Sequence, residues 1–286
     1  MRGARPFLAL EAECAACAAL EPGESVVVAA SGGPDSTALA ELLVLAAAQC
    51  GASVLLAHVD HAVRPRSAQD EAVVLALGAT LRVRVATTTL GPGSAGEARL
   101  RAERYAALIE IARTAAARRV FAAHHAEDQT EAVLLALFRG AGPAGLRGMA
   151  PVRPLAADVA LSRPLLGVEP ATLRAYCLFR NLPFALDPAN ADARYRRSAL
   201  RAALAQLREG FPHLDRSVAR YARILREEDA GSPRAELRRE LRAGVLAHTG
   251  DALDLSFERL DGAARALEDG RAGRHFLRRG VELIVE

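Results

Sequence analysis

The chain has 286 residues, 51% of them hydrophobic and none of them tryptophan, a size that predicts one large domain and one small one with cores of Leu, Val and Ala. Its formal net charge of +3 gives no overall case for nucleic-acid binding, and four scattered cysteines indicate a reducing compartment rather than a disulfide framework. No uncharged run approaches the ~20 residues that a membrane helix needs, and Glu11, Glu13 and Glu21 interrupt the N-terminal apolar segment, so we expect a cytoplasmic protein with no membrane partner.

Strand-like and helix-like patterns alternate through the first half of the chain. The predicted strands cover residues 26–30, 52–59, 81–86 and 120–123, and the predicted helices cover 37–49, 69–78, 97–117 and 126–138. Alternation of this kind predicts an α/β fold with a doubly wound, mostly parallel sheet and helices on both faces. Ligands of such sheets bind beyond the carboxyl ends of the strands, where the segments 31–36, 58–61 and 124–128 fall.

The second half is predicted to be mostly helical. A Gly- and Pro-rich stretch at 140–154 predicts a loop long enough to cover a substrate, and helical patterns follow at 164–180, 214–225 and 234–248, with a hairpin at 276–286. Arginines are dense from 194 to 242, but acids interleave with most of them, so the acid-free segment 194–201 is the better candidate for nucleic-acid contact. We expect a catalytic domain at 1–209 and a smaller, mostly helical C-terminal domain at 210–286 that contacts nucleic acid.

The most specific motif follows the strand predicted at 26–30 and leads into a helix. It consists of six residues: Ser31, Gly32, Gly33, Pro34, Asp35 and Ser36. A Gly-Gly turn in this place directs backbone N–H groups and the positive end of a helix at one point, which is the geometry of a phosphate or pyrophosphate site. The serines add hydroxyl donors, and Asp35 is a candidate ligand for a Mg²⁺ ion that bridges phosphate oxygens. The alternative is a Gly-rich turn, capped by Ser or Asp, that binds nothing.

This loop is neither of the two commonest phosphate motifs. All 37 basic residues of the chain are arginine, so the lysine of Gly-x-x-x-x-Gly-Lys-Ser/Thr is missing, and the loop lacks the spacing of Gly-x-Gly-x-x-Gly. Ser-Gly-Gly-x-Asp-Ser after a strand instead resembles the PP-loop of the ATP pyrophosphatase superfamily, whose members cleave ATP to AMP and pyrophosphate.

Seven further segments resemble one family of that superfamily, and they follow its order. They are 58–61, 97–105, 124–129, 139–146, 163–166, 187–190 and 195–201. Together with the loop, they make the chain similar to bacterial tRNA(Ile)-lysidine synthetase (also called synthase) over most of residues 25–215.

The resemblance implies a PP-loop ATPase fold of the Rossmann-like kind and a two-step ligation. ATP adenylates the C2 carbonyl oxygen of the wobble cytidine in tRNA(Ile) with a CAU anticodon, and the ε-amine of L-lysine then attacks C2 and expels AMP, which leaves lysidine. The implied cofactors are ATP and Mg²⁺, and the implied partners are that tRNA and L-lysine. The implied catalytic residues are Asp35, Asp128, Arg104 and Arg139. ATP would be bound by the six loop residues and His58, and Mg²⁺ by Asp35. The tRNA or substrate would be bound by Arg101, Arg197 and Arg201.

The chain also departs from the family pattern, mostly around the basic segment. The departures are Glu127, Pro170, Ala189, Ser198 and Ala199. Longer members carry another domain beyond the region where this chain stops, so we expect its binding of tRNA to be weaker or arranged differently.

The residues leave other interpretations open. A tRNA thiolase would need a sulfur-carrying cysteine or an iron–sulfur cluster near the nucleotide. An amidotransferase or NAD synthetase would also fit the PP-loop, and so would a non-catalytic tRNA-binding relative. Glu97, Arg101 and Arg104 also fit an ordinary charge ladder on a helix, Cys14 and Cys17 fit small core residues, and no Cys, His or Asp spacing fits zinc.

Overall fold

The computed structural model describes residues 5–60, 67–91, 97–185, 196–249, 255–278 and 280–285. The chain divides into two compact units. The first, here called the sheet unit, comprises Met1–Leu135 and Gly148–Ala219, and the second, here called the C-terminal unit, comprises Ala136–Arg147 and Arg220–Glu286.

The elements of the chain follow one another mostly as strand and helix in the first half and mostly as helices in the second. In chain order they are α1 (Arg5–Ala18), β1 (Ser25–Ala29), α2 (Pro34–Cys50), β2 (Ser53–Asp60), α3 (Ser67–Leu81), β3 (Arg84–Thr89), α4 (Glu97–Thr114), β4 (Arg119–Phe121), α5 (Ala126–Leu137), a 3₁₀ turn (Gly145–Arg147), β5 (Val152–Pro154), β6 (Ala160–Ser162), α6 (Pro170–Phe179), α7 (Arg196–Gly210), α8 (Leu214–Asp229), α9 (Pro233–Thr249), α10 (Phe257–Glu268), β7 (Gly273–Arg278) and β8 (Val281–Val285). Among the described helices, none is both long and apolar enough to cross a membrane.

The sheet unit is organised around six strands in the order β3-β2-β1-β4-β6-β5, and all but β5 run parallel. The chain moves outward from β1 through β2 to β3 and then returns to place β4 on the other side of β1. This reversal leaves a crevice between the carboxyl ends of β1 and β4, which is where ligands bind on open α/β sheets. The predicted doubly wound, mostly parallel sheet is therefore confirmed.

Apolar side chains on both faces of the strands explain why helices cover the sheet on two sides. Val26 and Val28 pack into one core with Leu42 of α2, whereas Val27 packs into the opposite core with Leu108 of α4. Successive residues of a strand point to opposite faces, so an uninterrupted Val-Val-Val run is buried only when both faces are covered. Each fully buried leucine or valine of this kind contributes about 1.5–3 kcal/mol.

Two element boundaries differ from the sequence predictions because of local backbone geometry. The strand predicted at 81–86 begins only at Arg84, since α3 continues to Leu81 and the chain then turns through Arg82 at φ +57°. The helix predicted at 164–180 begins only at Pro170, which occupies its first turn, where a missing N–H costs nothing.

The sequence patterns missed two short strands and wrongly predicted one cysteine to be buried. β5 and β6 have three residues each, too few for a period of two to be recognised, and they lie in and after the stretch predicted to be a loop at 140–154. Cys14 is buried as predicted, but Cys17 is exposed, because it lies at the margin of the buried stripe formed by Leu10, Cys14 and Ala18.

The C-terminal unit packs α9 and α10 against the hairpin β7–β8, whose strands begin earlier than the predicted 276–286. Its core contains Val245, Ala263 and Leu277. Arg238 is only 2% exposed, and its guanidinium donates to Asp261 and Glu227 at 2.7 Å each. Part of the arginine-rich stretch thus holds helices together through buried ion pairs.

Two mid-helix glycines provide a test of how tightly α3 packs against β3. A Cβ at Gly78 would lie 2.3 Å from Val85 Cγ2, whereas a Cβ at Gly244 in α9 would meet nothing within 4 Å. We expect Gly78→Ala to lower the free energy of unfolding by about 1–3 kcal/mol through overpacking. Gly244→Ala should instead raise it by about 0.5–1 kcal/mol through helix propensity. Urea unfolding of both variants measures this, and a Gly78→Ala protein as stable as the parent would contradict the packing described.

Candidate functional site

The loop from Ser31 to Ser36 forms a closed turn between β1 and α2. Ser36 Oγ accepts from the Ser31 amide at 3.1 Å, lies 3.1 Å from Ser31 Oγ, and donates to Gly33 O at 3.1 Å. Gly33 is the N-cap of α2, and no side chain caps the helix there. Since the first N–H groups of a helix have no partner within it, this end of α2 is available to a phosphate group.

Neighbouring backbone holds the loop from two sides. Gly32 has φ +83°, and a Cβ there would lie 3.1 Å from Asp70 O of α3, so both its conformation and its surroundings require glycine. The Ala185 amide donates to Gly32 O at 2.8 Å, and Cys177 Sγ donates to Pro34 O at 3.2 Å. The loop is therefore positioned before any ligand arrives.

Asp35 in the first turn of α2 meets residues that follow β4. His125 Nε2 lies 3.7 Å from Asp35 Oδ2 and 3.5 Å from Asp128 Oδ2. The Asp128 carboxylate also accepts from the His125 amide at 3.0 Å, which caps α5 in the manner of a capping box. Two carboxylates predicted to belong to the site, Asp35 and Asp128, thus lie within 4 Å of the same imidazole nitrogen.

The Asp35 carboxyl fits a cation. The pKa of this carboxyl lies above its ordinary value. Burial is the largest cause and raises it, the nearby Asp128 also raises it, and His125 acts in the opposite direction. Asp35 Oδ1 is buried and accepts no hydrogen bond from the described residues. A buried oxygen without a donor beside a second carboxylate is suited to a hard, oxygen-preferring ion such as Mg²⁺.

His58, near the carboxyl end of β2, contacts the backbone that leads into the loop. Its Nδ1 lies 2.9 Å from Ala30 O, and because a carbonyl only accepts, Nδ1 carries the proton. Its Nε2 is buried without a hydrogen-bond partner among the described residues. His58 is placed to hold the residue that precedes Ser31, with one ring nitrogen left for a hydrogen bond with a ligand.

The predicted arginines are distributed over several elements. Arg101 is half-buried on α4 and donates to Tyr105 Oη at 3.4 Å, and Arg104 is exposed one turn further along. Arg201 on α7 donates to Glu131 and lies 4.0 Å from Asp128. Arg197 lies in the first turn of α7, and Arg139 is exposed in the C-terminal unit. The structure thus brings Arg201 to the carboxylates and Arg101 to an aromatic ring.

Some residues that contribute to this edge were not predicted to have a role. Glu131 is buried on α5 and pairs with Arg201, three residues after Asp128, so an i,i+3 inspection of α5 would have found it. Arg163 is 3% exposed directly after β6, a strand too short to be predicted. His61, Asp187, Asn190 and Tyr195 lie outside the described residues.

The fold and this site define a PP-loop nucleotide-binding protein, and a family model of the PP-loop domain matches residues 8–208. Three curated relatives are each named tRNA(Ile)-lysidine synthase. The one from Gloeobacter violaceus is 41% identical over 73% of this chain and 65% of its own length; the one from Symbiobacterium thermophilum is 36% identical over 93% and 56%; and the one from Novosphingobium aromaticivorans is 40% identical over 80% and 70%. The chain belongs to the tRNA(Ile)-lysidine synthase family.

The similarity to the curated relatives covers only part of their length, and one solved structure shares the fold. The chain spans between 56% and 65% of the length of the first two of these relatives. Among solved structures, the U34-tRNA thiolase NcsA from Methanococcus maripaludis is similar with a TM-score of 0.64 and 16% identity, over 77% of this chain and 78% of its own. At that identity the likeness shows the shared fold.

The half-buried imidazole of His124 predicts a pH dependence of stability. Burial and the nearby Arg163 and Arg101 charges lower its pKa from 6.5 to about 4, against the opposing charge of Asp128. Between those pH values the unfolded chain binds a proton that the folded chain does not, so stability falls as the pH is lowered from 6.5 to 4. We expect His124→Gln to make this fall shallower by on the order of 2 kcal/mol.

Urea unfolding at several pH values between 4 and 7 measures the effect. The matched control is His213→Gln, which makes the same exchange at an exposed imidazole of the sheet unit and so measures the effect of the substitution itself. Equal profiles for His124→Gln and the parent would mean that His124 is not held neutral by burial.

Proposed function

We propose that this chain ligates L-lysine to C2 of the wobble cytidine in CAU-anticodon tRNA(Ile), with ATP converted to AMP and pyrophosphate. The observation that supports it most directly is the meeting of the PP-loop with His125 and Asp128 at the crevice between β1 and β4. The family membership adds that the curated relatives are named for this modification.

The phosphate side of the site supports the first step. The cytidine C2 oxygen attacks the α-phosphorus, an O–P bond forms, and pyrophosphate leaves with the electrons of the broken bond. The uncapped N-terminus of α2 and the hydroxyls of Ser31 and Ser36 suit the leaving pyrophosphate. Asp35 would hold Mg²⁺, which neutralises phosphate charge when it is bound.

The acidic side of the site supports the second step. The lysine ε-ammonium first loses a proton, the neutral amine then forms a C–N bond to C2 as AMP leaves with the C–O electrons, and the nitrogen gives a second proton to a carboxylate or to water. Asp128 and Glu131 lie on one face of α5, and a cationic amine is attracted to such carboxylates. We therefore assign catalytic roles to Asp35 and Asp128.

The remaining predicted roles belong to the same proposal. Arg104 and Arg139 would approach the reacting nucleotide, and Arg101, Arg197 and Arg201 would contact the tRNA, where a forked guanidinium suits phosphate oxygens. The ATP chemistry would lie in a domain at 1–209 and further tRNA contact in a domain at 210–286. With ATP, tRNA and free lysine as substrates, the enzyme would act in the cytoplasm.

One thiol near the loop distinguishes this proposal from sulfur transfer. Cys177 Sγ contacts Pro34 O, but burial raises its pKa to about 12, with further increases from Asp35 and Glu41. A thiol of this kind remains protonated at neutral pH and does not act as a nucleophile. The thiol nearest the PP-loop in the described chain is therefore a packing group.

The direct test is incorporation of radiolabelled lysine into unmodified CAU-anticodon tRNA(Ile) in the presence of ATP and Mg²⁺. We expect Asp35→Ala to reduce the rate of transfer by roughly 100-fold or more, because phosphate charge loses its counterion. Asp158→Asn, which removes an exposed carboxylate in the turn between β5 and β6, should keep the rate of the parent.

The lysine-transfer activity of the parent protein is the result that tests the proposed function. Lysine transfer that requires ATP and disappears in Asp35→Ala is the expected outcome. ATP consumption or tRNA binding with no lysine transferred would overturn the proposed function, and a thiolase or a non-catalytic RNA-binding protein would then be the better interpretation.

A further inference from the structure

Three guanidinium groups surround one phenol on the β6 side of the sheet unit. Arg101 and Arg153 lie with their guanidinium carbons 5.6 Å and 5.0 Å from the ring centre of Tyr105. Arg163 follows the carboxyl end of β6 and donates to Ala150 O at 2.8 Å. Burial raises the pKa of the Tyr105 hydroxyl, but the positive charges of Arg101 and Arg163 and hydrogen bonds from Arg101 and Arg153 bring it below its ordinary value. We call Arg101, Arg153 and Arg163 with Tyr105 the guanidinium cluster.

The guanidinium cluster has positive charge without a matching acid. Within the described part of the chain, Arg101, Arg153 and Arg163 form no ion pair with a carboxylate. Other arginines of the sheet unit do: Arg113 pairs with Asp158 at 2.9 Å, and Arg208 pairs with Asp215 at 2.7 Å. Exposed arginines of the unit such as Arg84 and Arg118 also have no carboxylate partner among the described residues, so what distinguishes the cluster is that its unpaired cations are buried or half-buried.

Arg163 is the most deeply buried member of the cluster. The residue is only 3% exposed, and its Nε has no hydrogen-bond partner among the described residues. A buried cation without a counterion is costly, and an anionic ligand would remove that cost by supplying the opposite charge. Arg101 and Arg153 are only half-buried, so an anion can reach the cluster from the surface.

The position of the cluster separates it from the PP-loop. β6 lies two strands from β1, with β4 between them, so the two carboxyl ends are about 10 Å apart. His124 after β4 lies between, and its pKa is lowered in part by the charges of Arg163 and Arg101. An anion at the cluster would thus sit beside the reacting site on the same edge, at some distance from phosphates held at α2.

We propose that the guanidinium cluster binds a phosphodiester of the RNA strand next to the nucleotide that is modified. The inference rests on the proposed function and assigns contacts to Tyr105, Arg153 and Arg163 that the sequence did not. Forked guanidiniums match the paired oxygens of a phosphate, and packing against the Tyr105 ring positions those of Arg101 and Arg153. The strand would cross the carboxyl edge with its base at the β1–β4 crevice and a phosphate at β6.

The test is the salt dependence of binding to an anticodon stem-loop RNA with a CAU loop. We expect Arg153→Gln and Arg101→Gln each to weaken binding roughly three- to tenfold near physiological salt and to reduce the slope of log K against log salt by about 0.7. Arg153→Lys should restore most of the slope because it keeps the charge. The matched control is Arg84→Gln, which removes an exposed arginine at the amino end of β3, on the opposite edge of the sheet.

The outcomes separate this inference from the function on which it rests. Slopes for Arg101→Gln and Arg153→Gln that equal the Arg84→Gln slope would overturn the inference, even if the parent transfers lysine. A raised KM for lysine or for ATP with unchanged RNA affinity would also overturn it, because the cluster would then bind a carboxylate or the nucleotide. Reduced slopes without lysine transfer by the parent would leave the RNA site standing and overturn the proposed function.

Discussion

The parallel pairing of β1 with β4 is the constraint on which the rest of the site depends. Val26, Val27 and Val28 of β1 lie beside Arg119, Val120 and Phe121 of β4, so the two strands end at the same edge about 4.8 Å apart. The segments that follow them, the PP-loop and the His124–His125 pair, have to share that edge. The contact of His125 with Asp35 at 3.7 Å is the direct consequence.

Two helix N-termini at this edge stabilise the half-buried carboxylates that meet there. Asp35 lies in the first turn of α2 and Asp128 in the first turn of α5, where the positive end of each helix favours a carboxylate. The same helix ends attract phosphate, so the acids and the anion-binding groups occupy one place without excluding each other. A divalent cation between carboxylate and phosphate would complete the balance, which is the proposed role of Mg²⁺.

The predictable parts of this protein are those that a short sequence pattern determines. The Val-Val-Val strand, the Gly-Gly loop and the alternation of elements predicted the parallel sheet and the position of segments 31–36 and 124–128 after the carboxyl ends of its strands, and the structure confirms both. Contacts such as Arg201 with Glu131, or Tyr105 with Arg153, join residues about 50 or more apart in the chain, and only the fold brings them together. The three-residue strands β5 and β6 were missed because their pairing, not their composition, makes them strands.

The measurement that tests the central claim most directly is the fate of the label when the protein is incubated with ATP labelled in its α-phosphate and with CAU-anticodon tRNA, in the absence of lysine. A PP-loop that presents the α-phosphorus to an RNA oxygen predicts labelled adenylate attached to the RNA and an equal amount of pyrophosphate. Label recovered as ADP, with inorganic phosphate released, would mean that the site cleaves the outer phosphate bond and would contradict this account.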